Sequence, residues 1–197
     1  MAERDAFDAA TRIAAGDDRA NYDNVAITLH WLTALLVVTQ FALAETWDWF
    51  SNDTREGMQS IHISFGILLT AVVLVRLIWR LGHHRSPLAV GWMLIASNVV
   101  HYLLYALLVV QACLGWSIGW SAGHPIHFFG IPIPGPIDAL PRPTRHELRD
   151  IHGNVGWAII ILAFGHALAA LYHHYGLHDR VLGRMLPLAR RSERGAS

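Results

Sequence analysis

The chain has 197 residues, of which 53% are hydrophobic and only 15% are charged. A soluble domain normally carries about 25% charged residues, so the composition predicts a small membrane protein with no room for a second domain. The formal net charge is zero, which gives no indication of a nucleic-acid partner, and the single cysteine, Cys113, excludes an intramolecular disulfide.

The first part of the chain, residues 1–21, is polar and acidic. It contains no apolar stretch of the kind found in a cleaved signal peptide. We therefore expect a cytoplasmic N-terminal tail, followed by a membrane domain over residues 22–188.

Four apolar segments follow, at about residues 25–44, 58–81, 96–120 and 148–172. Each is long enough to cross a bilayer as a helix. The predicted fold class is therefore all-α: an integral membrane four-helix bundle. The apolar residues 86–95 either lie in the membrane interface or extend the third helix.

Arginine is the only strongly basic residue type, and its distribution predicts the orientation of the bundle. Eleven of the fifteen arginines lie in the N-terminal tail, the second loop or the C-terminal segment. Since cytoplasmic loops carry the excess of basic residues, both termini are expected in the cytoplasm, including a C-terminal tail over residues 189–197.

The longest connection, residues 121–147, is rich in glycine and proline and contains the run GHPIHFFGIPIPGPIDALPRPTR. Proline removes backbone donors and blocks the preceding helical turn. We expect this connection to be non-helical and to form an ordered cap on the outer face.

Among the histidines inside the apolar segments, four can be paired by depth: His30, His62, His152 and His166. An ionisable residue at membrane depth is costly and usually functional. The second and fourth segments start on the outer side, so His62 and His152 share the outer level, whereas His30 and His166 share the inner level. Two facing imidazoles per level are the arrangement by which helical bundles ligate haem b, which predicts two haem b groups.

Glycines support this interpretation. Gly66 follows His62 by four residues and Gly156 follows His152 by four, so each lies on the ligand face one turn deeper,. A missing side chain there would let a porphyrin approach the helix. The alternative is that small residues only permit close helix packing.

The histidines allow other assignments as well. Hydrogen bonding between helices is the alternative for any one of them, and His101 competes with His30 as the partner of His166. Structural zinc is disfavoured because its four ligands converge on one point. The absence of a CxxCH motif excludes covalently attached haem.

Four arginines complete the predicted sites. Arg76, near the inner level, is expected to bind haem propionates, because arginine pairs with planar carboxylates; the alternative is a positive anchor at the membrane surface. Arg142, Arg145 and Arg149 lie just before His152. They are expected to attract a small anion, or else to form salt bridges with Asp138, Glu147 and Asp150.

Three segments and a tail motif resemble the bacterial cytochrome b561 family: TLHWLTALLVV, IHISFGILLTAVVLVRLIWR, LRDIHGNVGWAIIILAFGHALAALYHHY and RMLP. The resemblance covers about residues 22–188 and is weak in the third helix and the outer loop. It implies an inner-membrane protein with two b haems ligated from helices one, two and four. Matched by position, the ligands fall on His30, His62, His152 and His166, and not on His101.

The resemblance also implies an activity. Superoxide would give an electron to the outer haem, the inner haem would receive it, and ubiquinone would be reduced, with Arg149 in the basic patch that attracts superoxide. The alternative function is a membrane-anchoring cytochrome b subunit that passes electrons between a periplasmic redox protein, such as a hydrogenase, and the quinone pool.

Overall fold

The computed structural model describes residues 24–82 and 92–176, and each predicted span is a helix within them. The helices are α1 (Asn24–Thr46), α2 (Asn52–Gly82), α3 (Trp92–Trp120) and α4 (Arg142–Tyr175). A 3-10 turn, Trp47–Trp49, links α1 to α2. All four helices are long and apolar enough to cross a membrane, which confirms the all-α membrane bundle. The predicted tails, residues 1–21 and 189–197, lie outside the described residues.

Helices α2 and α4 each begin six residues before the predicted span. Their first residues, NDTREG and RPTRHE, are polar, so hydropathy does not detect them although the helix continues into water. The expectation that the whole proline-rich run is non-helical was wrong for Arg142–Arg145. Pro143 stands in the first turn of α4, where the missing N–H has no helical partner to lose. Helix α3 begins at Trp92, so the last residues of 86–95 extend it.

The helices pack in sequence as antiparallel neighbours: α1 against α2, α2 against α3, and α3 against α4, with a smaller contact between α1 and α4. The centre of the bundle is a buried apolar cluster of Val73, Leu108 and Ile159. Ile159 lies seven residues from both His152 and His166. The cluster therefore forms a dry layer midway between the two histidine levels.

The outward surface of the helices is apolar rather than charged. Large aliphatic side chains such as Ile78 and Leu81 are 70% and 79% exposed. In water such a surface would drive aggregation, whereas lipid chains solvate it. This distribution is the one expected for a bundle whose polar groups face inward.

The proline-rich connection is ordered by a β-hairpin. Strand β1 (Ile126–Phe128) pairs antiparallel with β2 (Ile131–Ile133), with Phe128 opposite Ile131. The Trp120 indole N–H donates to the Ile133 carbonyl at 3.4 Å. We call the end of the bundle that carries this hairpin the hairpin end, and the opposite end, where α1 begins and α4 ends, the terminal end.

Candidate functional site

Helix α4 carries two of the four predicted ligands on one uninterrupted helix. His152 and His166 are fourteen residues apart, which corresponds to about 21 Å along the axis. His62 on α2 meets His152 at the hairpin end. At the terminal end, His30 and His166 are close enough to interact electrostatically. The structure therefore brings together the pairs expected from depth, and their coordination of iron stays a prediction.

The His62 and His152 rings lie edge-on to each other, with centroids 6.3 Å apart and planes inclined by 72°. Metal–imidazole bonds are about 2 Å long, and a ring centroid lies roughly 1 Å beyond its nitrogen, so two imidazoles on opposite sides of one metal ion have centroids about 6 Å apart. The Nδ1 atoms of both rings are buried and have no hydrogen-bond partner among residues 24–82 and 92–176. Spacing and unpaired nitrogens both fit a bis-imidazole metal centre.

A cavity of about 70 Å³ adjoins this pair of rings and contacts α1, α2, α3 and α4. Its lining residues are Gln40, His62, Gly66, Leu69, Thr70, Val73, Leu108, Gln111, Ala112 and His152. The predicted clearance residue Gly66 is in this lining. The cavity is thus lined mainly by apolar and amide groups.

Two glutamines that the sequence reading missed stand over the two glycines. A Cβ atom on Gly66 would lie 2.9 Å from Gln40 Nε2, and one on Gly156 would lie 3.4 Å from Gln111 Nε2. The Oε1 atoms of both glutamines are buried without a partner in the described part of the chain. The signal available in the sequence was that each glutamine is a polar residue inside a predicted membrane span. The space left by each glycine is therefore shared with an amide, and the roles of both glycines toward haem stay predictions.

Gln40 also joins two helices, because its Nε2 donates to the His62 carbonyl oxygen at 2.9 Å. We expect Gln40→Met to lower the thermal midpoint of the purified protein by about 2 °C, since hydrogen bonds between membrane helices contribute on average about 0.6 kcal/mol. Gln111→Met is the matched control, because the Gln111 amide forms no hydrogen bond with the described residues. Equal midpoints for the two variants would contradict a stabilising role for the Gln40 bond.

At the terminal end the structure adds a third ring to the predicted pair. His101 on α3 contacts His166 edge-on, with ring centroids 5.1 Å apart. Its Nδ1 donates to the Ser97 carbonyl oxygen at 2.6 Å. His101 therefore lies at the level of His30 and His166, as its position in the sequence suggested.

Arg76 lies beside this cluster of rings. Its Nη2 atom donates to His30 Nδ1 at 3.0 Å, and its guanidinium lies 5.3 Å from the centre of the Tyr105 ring. Arg80 is placed at the same distance from the Tyr102 and Tyr105 rings. These contacts hold a guanidinium next to a predicted ligand, where it can reach carboxylates. Binding of haem propionates by Arg76 stays a prediction.

The three arginines before His152 occupy the first two turns of α4. Arg145 and Arg149 precede His152 by seven and three residues, so they share one side of the helix with it. Among residues 24–82 and 92–176, none of the three forms an ion pair with a carboxylate. Asp150 contacts His146 instead, at 3.4 Å. The salt-bridge alternative is therefore not realised in the described structure.

Taken together, the residues at the hairpin end fit a bis-histidine haem: two neighbouring imidazoles, unpaired ring nitrogens and an adjoining cavity across four helices. Within the described ranges, no group of three or more histidine, cysteine or acidic side chains converges as a metal cluster. The described residues therefore contain no converging set of side chains of the kind that a tetrahedral zinc site requires,.

Comparison with known proteins gives the same assignment. The model of the family described as prokaryotic cytochrome b561 matches residues 21–188. Cytochrome b561 homolog 1 of Escherichia coli is 29% identical over 176 residues, which cover 84% of this chain and 97% of that protein. The probable superoxide oxidase CybB of Yersinia pestis is 30% identical over 179 residues, covering 86% and 97%. Cytochrome b562 of Cereibacter sphaeroides is 28% identical over 178 residues, covering 84% and 94%. The chain therefore belongs to the prokaryotic cytochrome b561 family, whose members are b-haem-binding membrane proteins of electron transfer.

Proposed function

We propose that this protein is a superoxide:ubiquinone oxidoreductase of the bacterial inner membrane, with two b haems. Two superoxide anions each lose one electron and become dioxygen, and ubiquinone takes up the two electrons with two protons to form ubiquinol. The name of the Yersinia pestis relative supports this donor. The observation that carries the proposal is the group of arginines without carboxylate partners beside His152.

The haems supply the one-electron chemistry when bound, and the protein supplies their placement. His62 and His152 are proposed as the axial ligands at the hairpin end, and His30 and His166 as those at the terminal end. The layer of Val73, Leu108 and Ile159 keeps water out of the space between the two levels. Transfer between them therefore does not need a polar pathway through the bundle.

The role proposed for the arginines is to attract the electron donor to the hairpin end. Arg142 and Arg149 are exposed at the hairpin end, and the positive charge of such a patch raises the local concentration of a small anion. Superoxide is a small anion, whereas a protein donor would need a larger complementary surface. We place this end in the periplasm, with both termini in the cytoplasm, because eleven of the fifteen arginines lie in the segments that adjoin the terminal end,.

Rapid mixing of the purified, oxidised protein with superoxide tests the proposal. We expect reduction of the haem absorbance bands within milliseconds, and reoxidation when ubiquinone is the only acceptor present. Superoxide dismutase added beforehand is the control and should prevent the reduction. A protein that stays oxidised after mixing with superoxide would overturn the proposed donor.

The proposed attraction of superoxide by the arginines can be tested at Arg149. We expect Arg149→Glu to slow the reaction with superoxide roughly tenfold at low ionic strength and to weaken its salt dependence, since reversal of one exposed charge removes much of a local field that salt otherwise screens. The measurement is the second-order rate constant across a salt series.

Arg55→Glu is the matched control for that variant. Arg55 lies on α2 at the same end, and its charge is already compensated by Asp48 at 3.2 Å. Arg55→Glu and Arg149→Glu change the net charge by the same amount, but at different positions on the hairpin end. If both variants slow the reaction equally, net charge rather than the patch before His152 governs the encounter.

A further inference from the structure

The β-hairpin does not stand above the bundle but lies along the side of α2. The Phe129 N–H donates to Ser64 Oγ at 3.0 Å, and the same oxygen is 3.4 Å from the His127 carbonyl oxygen. The Phe129 and Phe65 rings are 6.1 Å apart. Since Ser64 follows His62 by two residues, the hairpin turn reaches the level of the His62–His152 pair.

This contact lies below the apolar boundary of α2. The first six residues of the helix are polar or small, and the apolar stretch begins at Met58. Ser64 is six residues further along, which places the hairpin turn about 9 Å deeper. That depth is comparable to the roughly 5–10 Å by which interfacial segments enter the boundary between headgroups and acyl chains.

The exposed side chains of the hairpin are apolar apart from His127. Residues 125–137 read PIHFFGIPIPGPI and contain no aspartate, glutamate, lysine or arginine. Phe129 and Ile131 are 59% and 63% exposed. A surface loop in water normally carries polar side chains, so these two residues face a different environment.

Pro132 reduces the number of unpaired backbone N–H groups at the outer edge of the hairpin. Strand β1 packs against α2, which leaves β2 as the outer edge. Pro132 pairs with His127 in the middle of β2 and has no N–H, so the donors of β2 toward β1 come from Ile131 and Ile133. The N–H of residue 132 would have pointed away from the sheet. Proline at that position removes the one donor of the strand that would lack a partner in lipid.

The turn itself is held by a polar contact that is shielded from solvent. Ser64 is only 1% exposed, and it satisfies the N–H of Phe129. Phe129 has a φ of 46° and Gly130 a φ of 88°. A bulky side chain rarely adopts a positive φ, so the contacts of Phe129 with Ser64 and Phe65 compensate for the conformation that points it outward.

We propose that the hairpin is a membrane anchor, with Phe129 and Ile131 embedded among the lipid acyl chains of the leaflet at the hairpin end. Ile61 and Ile63 of α2 are also exposed at this level of the bundle. The hairpin covers the side of α2 next to His62 and keeps water from that level. This proposal does not depend on the electron donor.

Photolabelling of the haem-loaded native protein in liposomes tests the proposal. A phosphatidylcholine with a diazirine on its acyl chain would be activated by light, and the modified residues located by mass spectrometry. We expect modification of Phe129 and Ile131 at a level similar to Ile61 and Ile63. Asp138, in the same connection but beyond the apolar run, is the internal control and should stay unmodified.

A water-soluble diazirine gives the complementary result in a parallel sample. We expect it to modify Asp138 at least five times as strongly as Ile131. Equal modification of the two residues would show that the hairpin lies in water and would overturn the proposal. A hairpin that neither reagent modifies is covered by protein, either a second copy or a redox partner, and this outcome would also overturn it.

Discussion

Replacement of His62 with alanine is expected to lower the haem content from two groups per chain to one. The ring centroids of His62 and His152 are 6.3 Å apart, and a single imidazole cannot hold a six-coordinate haem at that site. The two levels are roughly 21 Å apart along the helix axis, and the apolar layer around Ile159 lies midway between them, so the second haem should be retained. Haem extraction with quantitation per chain measures the loss, and electron transfer to quinone should be abolished.

His127→Ala is the matched control for that experiment. His127 is an exposed histidine at the same end of the bundle, and only its backbone contacts Ser64. Its replacement should leave two haems. Imidazole added together with haem should restore the second haem and its low-spin spectrum in His62→Ala, because the adjoining cavity admits a small ring. Two six-coordinate haems in His62→Ala without added imidazole would remove the basis of the proposed site.

The sequence predicted the helices and the histidine levels because both depend on local properties. Twenty apolar residues must form a helix in a bilayer, and the depth of a residue follows from its position in that helix. His62 and His152 then meet because α2 and α4 both begin at the hairpin end, and each histidine is the eleventh residue of its helix. The early start of α2 was missed because its polar first residues have no hydropathy signal.

The positions of the hairpin and of the glutamines depend on contacts between residues that are far apart in the sequence. A local sequence pattern does not reveal such contacts. Phe129 is fixed by Ser64, which lies 65 residues earlier in the chain. Gln40 and Gly66 come together only once α1 and α2 are packed. The proline-rich run predicted an ordered, non-helical cap, but its position beside α2 could only be seen in the folded chain.

At the terminal end, we expect His30→Ala to lose one haem and His101→Ala to retain both. Positional agreement with the family motif in the first segment supports His30, and α3 supplies no ligand in that resemblance. The two residues are at one level and both are partly buried, so each variant is the control for the other. Haem content per chain, together with the low-spin signals in electron paramagnetic resonance, distinguishes them.

The hydrogen bonds of His30 and His101 determine which ring nitrogen of each residue is available to bind iron. A guanidinium only donates, so His30 accepts from Arg76 through Nδ1, and a neutral ring in this state carries its proton on Nε2. His101 donates through Nδ1 to the Ser97 carbonyl, which leaves its Nε2 lone pair available, as in most metal-ligating histidines. Coordination through His30 Nε2 therefore requires Arg76 to leave Nδ1, and haem propionates are the acceptors expected to draw it away.

Arg76→Gln tests the His30 assignment through the haem propionates. If His30 is the ligand, the loss of the propionate contact should weaken haem binding at the terminal end, and the variant should lose haem on dilution faster than the native protein. If His101 is the ligand, His101→Ala should be the variant that holds a single haem, while His30→Ala keeps two. That result would assign the site to His101 and His166, whose rings are already 5.1 Å apart.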